Sequence, residues 1–298
     1  MRYIRSSIFF LMSVSCLFLC QSCSTCSRQH TVENITVDID LANLAIDSLF
    51  INMSSGKVLY AAPTPIEVSM LIKNWGIPYP ELMNDPAHAS GYLTKKKMAI
   101  NFGVYVTDLT TAGLYEQTQT VLKYKQAIMQ LVDGLGLRSA ADPKRLQQVE
   151  DNINNKNELI QIISDIYASC TEYLSEDDRD FYALAMLSGG WVEGMYIAAN
   201  MINENDASNG SKMKQLVMDN KLTFDLLWQA LGQMDVIPDD AVTLMIDMSY
   251  LAYLFGHQTL LTVPPSTAVI NNANSVTPEL FADLKNHIQL LRQQFVKK

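Results

Sequence analysis

Apolar residues recur every three or four positions through most of this chain, and that spacing predicts a protein built of helices. Residues 32–40 alternate Val32, Ile35, Val37 and Ile39 with polar neighbours closely enough for a short strand, and residues 40–53 then take up helical spacing. Thr64-Pro65-Ile66-Glu67 has the order of an N-cap, a first-turn proline and the acid that closes a capping box. Val68, Leu71, Ile72 and Trp75 continue that helix as one stripe, and Gly76 ends it. A loop follows, rich in turn formers: Pro78-Tyr79-Pro80, then Asn84-Asp85-Pro86-Ala87-His88. It reads as a helix connector or as the lip of a site.

Residues 94–136 predict two helices divided near 110–113. Met98, Phe102, Tyr105, Val106 and Leu109 form the apolar face of the first, and Val121, Leu122, Ile128, Leu131 and Val132 that of the second. Asp142-Pro143 opens another helix, and a polar stretch interrupted by Asn152, Asn154, Asn155 and Asn157 makes 147–158 a candidate domain seam. Apolar helices follow at 159–174 and 181–202, separated by Ser175-Glu176-Asp177-Asp178, which resembles a capping box with Asp for Glu. After a loop at 203–211 come segments 213–218 and 224–232, then a helix from near Pro238 to about Gly256. A polar loop at 264–274 precedes Thr277-Pro278-Glu279, which caps a last helix reaching Phe295. The fold class is therefore all-α, a multi-helix bundle or short helical solenoid of about nine to eleven helices.

The first 26 residues depart from this pattern. Arg2 and Arg5 precede an apolar run from Ile8 to Leu19, the order of a secretory signal and too short to span a bilayer comfortably. Leu19-Cys20-Gln21-Ser22-Cys23 resembles the lipobox of bacterial lipoproteins, with Cys23 the best-placed lipidated residue and Cys20 or Cys26 the alternatives. The organisation read from this is a signal peptide over 1–22, a flexible tether over 23–33 and a helical body over 34–298. Such a protein is fastened to a bacterial membrane through its N-terminal lipid. The tether lacks a strongly acidic run, which favours the periplasmic face of the outer membrane.

Charge narrows the partners. The full chain carries a net charge of −9, and loss of Arg2 and Arg5 with the leader takes it to −11. An acidic balance argues against nucleic acid and against an electrostatic grip on anionic headgroups. Once Cys23 is acylated the body retains Cys26 and Cys170, and the apolar surroundings of Cys170 predict a buried free thiol. Neither cysteine has metal-ligand spacing, the histidines (His30, His88, His257, His287) are isolated, and phosphate-loop, dinucleotide, zinc-protease and serine-elbow signatures are missing. No cofactor or metal is predicted, and the fifteen methionines read as core filler.

Two segments look alike: Met98-Ala99-Ile100-Asn101-Phe102-Gly103-Val104-Tyr105-Val106-Thr107-Asp108 and Leu184-Ala185-Met186-Leu187-Ser188-Gly189-Gly190-Trp191-Val192-Glu193-Gly194. Glycine inside a helix costs about 1 kcal/mol relative to alanine, so Gly189, Gly190 and Gly194 predict close helix packing. These segments, with Gly76-Ile77-Pro78-Tyr79, resemble a set of uncharacterised predicted lipoproteins of anaerobic Gram-negative bacteria. The resemblance implies the envelope address and a helical fold, and no chemistry.

Asp108, Glu193 and Asp247 each lie in otherwise apolar helical sequence, and a buried carboxylate must find a donor or keep its proton. With Tyr105 and Trp191 they define a candidate ligand pocket between helices; three separate surface or capping acids are the plainer reading. The function expected is a lipid-anchored envelope protein whose body binds a partner or small ligand without catalysis. An envelope hydrolase using the acid pair and an assembly factor of an outer-membrane complex are the alternatives.

Overall fold

A computed structural model describes residues 49–52, 58–61, 65–176, 179–257 and 269–298. Nine α-helices lie among them: α1 (Pro65–Asn74), α2 (Lys95–Leu114), α3 (Thr118–Leu135), α4 (Pro143–Asp151), α5 (Lys156–Glu176), α6 (Asp180–Met201), α7 (Gly210–Gly232), α8 (Asp239–Leu254) and α9 (Pro278–Val296). The all-α class holds, with one small addition. Strands β1 (Leu49–Asn52) and β2 (Val58–Ala61) pair antiparallel, Leu49 opposite Ala61 and Asn52 opposite Val58. The helix expected over 40–53 is thus a strand at 49–52, a short apolar run that periodicity alone does not separate from a helix. The alternation at 32–40 and the cap at Thr64 lie outside the described residues.

Local chemistry sets the helix ends. Thr94 Oγ1 accepts from Lys97 N at 3.2 Å, Asp142 from Lys144 N at 2.9 Å and Thr277 from Leu280 N at 3.2 Å, with proline in the first turn of α4 and α9. Gly76, Gly136 and Gly256 stop α1, α3 and α8 in the left-handed conformation, each closing the paired backbone bonds that satisfy the last carbonyls. Residue 116 makes the same closure after α2 with a glutamate at φ +58°. The capping box expected at Ser175 does not form: Ser175 remains inside α5, and Arg179 precedes α6 without a side-chain cap bond.

The core is a pair, α2 and α6, ringed by α1, α3, α5, α7 and α9; α4 leans on α3 and α5, and α8 on α7 and α9. Helices distant in sequence share this centre, so the arrangement is a bundle and not a solenoid. A central helix has no solvent side, and every residue of α2 from 99 to 114 is buried. The single apolar face expected for α2 is therefore wrong. Its polar residues are interior as well: Asn101 Nδ2 donates to the Phe295 carbonyl at 3.0 Å, and Thr107 Oγ1 to the Gly190 carbonyl at 3.2 Å. Segments 213–218 and 224–232 are likewise one helix, α7, because Asn220 bonds back to the Leu216 carbonyl and Lys221 pairs with Asp225 across the apparent gap.

The two look-alike segments form the α2–α6 contact. A Cβ on Gly103 would lie 1.9 Å from the Met186 carbonyl oxygen, and one on Gly189 1.9 Å from that of Ile100. Gly194 faces Val68 of α1. Cys170 is a buried free thiol in α5, its pKa pushed up to about 12 by burial.

Candidate functional site

Asp108 of α2 and Glu193 of α6 meet inside the bundle, both wholly buried. The close approach of their helices brings them together, and Arg292 reaches them from α9. Its Nε and Nη2 donate to the two Glu193 carboxylate oxygens at 2.9 and 3.0 Å, while Nη2 also meets the Leu82 carbonyl at 3.4 Å. The guanidinium lies 4.7 Å from the centre of the Tyr196 ring. A bidentate arginine fixes Glu193 as the ionised partner.

Asp108 has a different environment. Its Oδ2 accepts from Asn84 N at 3.1 Å, whereas Oδ1 has no donor among the described residues, and the Glu193 carboxyl is its charged neighbour. Burial first, and then the Glu193 charge, raise the Asp108 pKa well above the usual carboxylate range, against the pull of Arg292 and the Asn84 amide. Burial raises Glu193 too, opposed by Arg292 and by its hydrogen bond with Asp108. Two acceptors side by side become donor and acceptor when one proton is kept, and Asp108 is the acid that keeps it.

Tyrosines fasten the loop between α1 and α2 over this cluster. Tyr124 of α3 donates to the Asn84 carbonyl and Tyr105 to that of Asp85, both at 2.9 Å. Asn84 Nδ2 donates to Tyr92 at 3.0 Å, and Tyr92 donates to the Val296 carbonyl at 3.1 Å. The Tyr105 ring packs 6.3 Å from Tyr92 and 5.8 Å from Tyr124. Asp85 caps the short 3-10 turn Pro86–Gly91 through the Ala87 amide. The loop first read as a connector or a lip is thus the roof of the acid pair.

Asp108, Glu193 and Tyr105 come together, and Trp191 and Asp247 do not join them. Trp191 faces the other side of α6, its Nε1 donating to the Asn220 carbonyl at 3.2 Å and its ring 5.1 Å from Phe224. Asp247 sits at the edge of α8 and accepts from Gln294 at 2.7 Å. Cys23 lies outside the described residues. Sequence reasoning missed Arg292, Tyr92 and Tyr124, and had Asn84 only as part of the loop read as a connector or a lip. Arg292 carried a signal: it falls one turn beyond buried Ile288, on the apolar side of α9.

A retained proton beside a carboxylate is the apparatus of general acid–base chemistry, but here the roof and Arg292 fill the approach. The cluster as folded is a closed polar key. A small apolar cleft lies elsewhere, between Val106, Leu109, Ile128, Leu146 and Ile163, with Lys125 at its rim paired to Glu150 at 2.6 Å. Among the described residues no three His, Cys, Asp or Glu side chains gather as metal ligands would. Comparison with protein-family models, with curated proteins and with solved structures returned no match.

Proposed function

We propose that this chain is a lipid-anchored protein of a bacterial cell envelope whose helical body docks a protein partner and performs no chemistry. The address rests on the arginine-led apolar leader and Cys23. The absence of catalysis in this reading is supported by the acid pair, which spends its hydrogen-bonding capacity on Arg292, the Asn84 amide and itself.

The observation that carries docking is the outer side of α8. Val242 and Ile246, one turn apart, are exposed there, and Val236 and Ile237 are exposed just ahead of the helix. Asp235, Asp239 and Asp240 stand exposed beside them, with Asp247 at the same helix edge. Apolar side chains left in water along one face favour an interaction surface, and the acidic border selects a partner whose apolar face carries basic residues at its rim.

A photo-crosslinking residue at Val242 in intact cells tests this. The expected result is one discrete adduct, lost in Ile246→Glu and absent with the crosslinker at Lys144. Equal, diffuse adducts from both positions refute the docking face. Palmitate labelling lost in Cys23→Ser supports the anchor, and salt-resistant membrane retention of that variant without label refutes it.

A further inference from the structure

Five lysines from distant parts of the chain meet on one surface. Lys95, Lys96 and Lys97 form the first turn of α2, and Lys297 and Lys298 follow α9. Lys97 Nζ donates to the Gln294 carbonyl at 2.6 Å, and the Lys298 side chain lies across Gly91, so the two groups are stitched together. Lys95 also bonds the Gly134 carbonyl. The Lys97 pKa is lowered by burial first and then by its neighbours Lys96 and Lys297, with Asp247 the acid that opposes them. Beside this group Leu93 projects into water, 82 % exposed.

The overall charge of −9 conceals this concentration, because three of the lysines lie early in the helical body and two at its far end. We propose that the lysine patch, tipped by Leu93, seats the helical body on an anionic phospholipid surface. Lysines clustered within a Debye length of such a surface each add attraction, and a leucine standing out among them can enter the headgroup boundary without desolvating a charge. A single-stranded nucleic acid would call for aromatic side chains to stack on, and the aromatics nearest in sequence, Tyr92 and Phe295, are buried. The lipid-anchored reading places the body within reach of a membrane, whereas the contact itself belongs to the patch.

The test reconstitutes the acylated full chain on vesicles of phosphatidylcholine, with or without phosphatidylglycerol. Lysines are labelled with an amine-reactive reagent and read by mass spectrometry. Labelling of Lys95, Lys96, Lys297 and Lys298 is expected to fall with phosphatidylglycerol and recover at high salt, while Lys144 stays constant. Lys96→Glu with Lys298→Glu abolishes the difference, and each lysine neutralised lowers the bound ratio roughly fivefold. Loss of the chain from phosphatidylcholine vesicles, with salt-sensitive retention on phosphatidylglycerol, would fail the anchor and uphold the patch. Equal labelling on both vesicles while the chain remains bound overturns the proposal and spares the anchor. Protection by an RNA or DNA duplex with none by phosphatidylglycerol overturns it as well.

Discussion

Gly103 presses its bare Cα against the carbonyl of Met186, leaving only 1.9 Å for any Cβ placed there. Backbone on both sides leaves nothing that can rotate away. Gly103→Ala and Gly189→Ala are each expected to cost roughly 3 kcal/mol or more in chemical denaturation, the upper end of core overpacking. Gly194→Ala, which meets Val68 side-chain atoms at 3.3 Å, costs about 1 kcal/mol. Similar losses at all three positions would contradict the α2–α6 contact.

Amides separate the roles of the two acids. Asn at 108 reproduces the protonated acid, so Asp108→Asn changes stability by less than about 1 kcal/mol. Glu193→Gln strips Arg292 of its partner and costs about 3 kcal/mol, with strong non-additivity in the double variant. The pH dependence has a definite sign. Asp108 is raised in the folded state, first by burial and then by Glu193, so the native protein holds a proton that the unfolded chain releases above about pH 4. Its contribution is full below that pH and is lost as pH rises through the folded value. Urea titrations across pH should show this downward slope in the parent and a shallower one in Asp108→Asn.

The roof should loosen one hydroxyl at a time. Tyr124→Phe and Tyr105→Phe each remove one hydrogen bond to a loop carbonyl, worth about 1 kcal/mol. Hydrogen exchange at the Asn84 and His88 amides should accelerate in both, with α5 amides unchanged. Uniform acceleration would mean that the loop and bundle open together.

Glu116 holds a left-handed backbone that favours glycine. Its pairing with Lys156 spans 4.0 Å between an exposed Glu116 and a partly exposed Lys156 and contributes little. Glu116→Gly is expected to raise stability by up to about 1 kcal/mol, read from the denaturation midpoint.

Much of the fold was legible because its helices advertise their ends: the Asp142 and Thr277 caps and the glycines at 76, 136 and 256 lie where spacing put them. The α2 stripe misled because a helix at the centre has neighbours on every side, a tertiary fact. The acids of the cluster were readable as costly intrusions in apolar helices. Asp108 and Tyr105 sit three apart and share a side, but Trp191 and Glu193 sit two apart and point nearly opposite ways, so closeness in sequence wrongly suggested closeness in space. Arg292 comes from α9, and no local pattern announces a partner so distant.

The Arg292 clasp also orders events in time. Until α9 has been made, α2 and α6 have two acids to bury and no cation to meet them, and the Asn101 amide lacks the Phe295 carbonyl it will bind. The earlier helices therefore gain little by closing before the last one joins them.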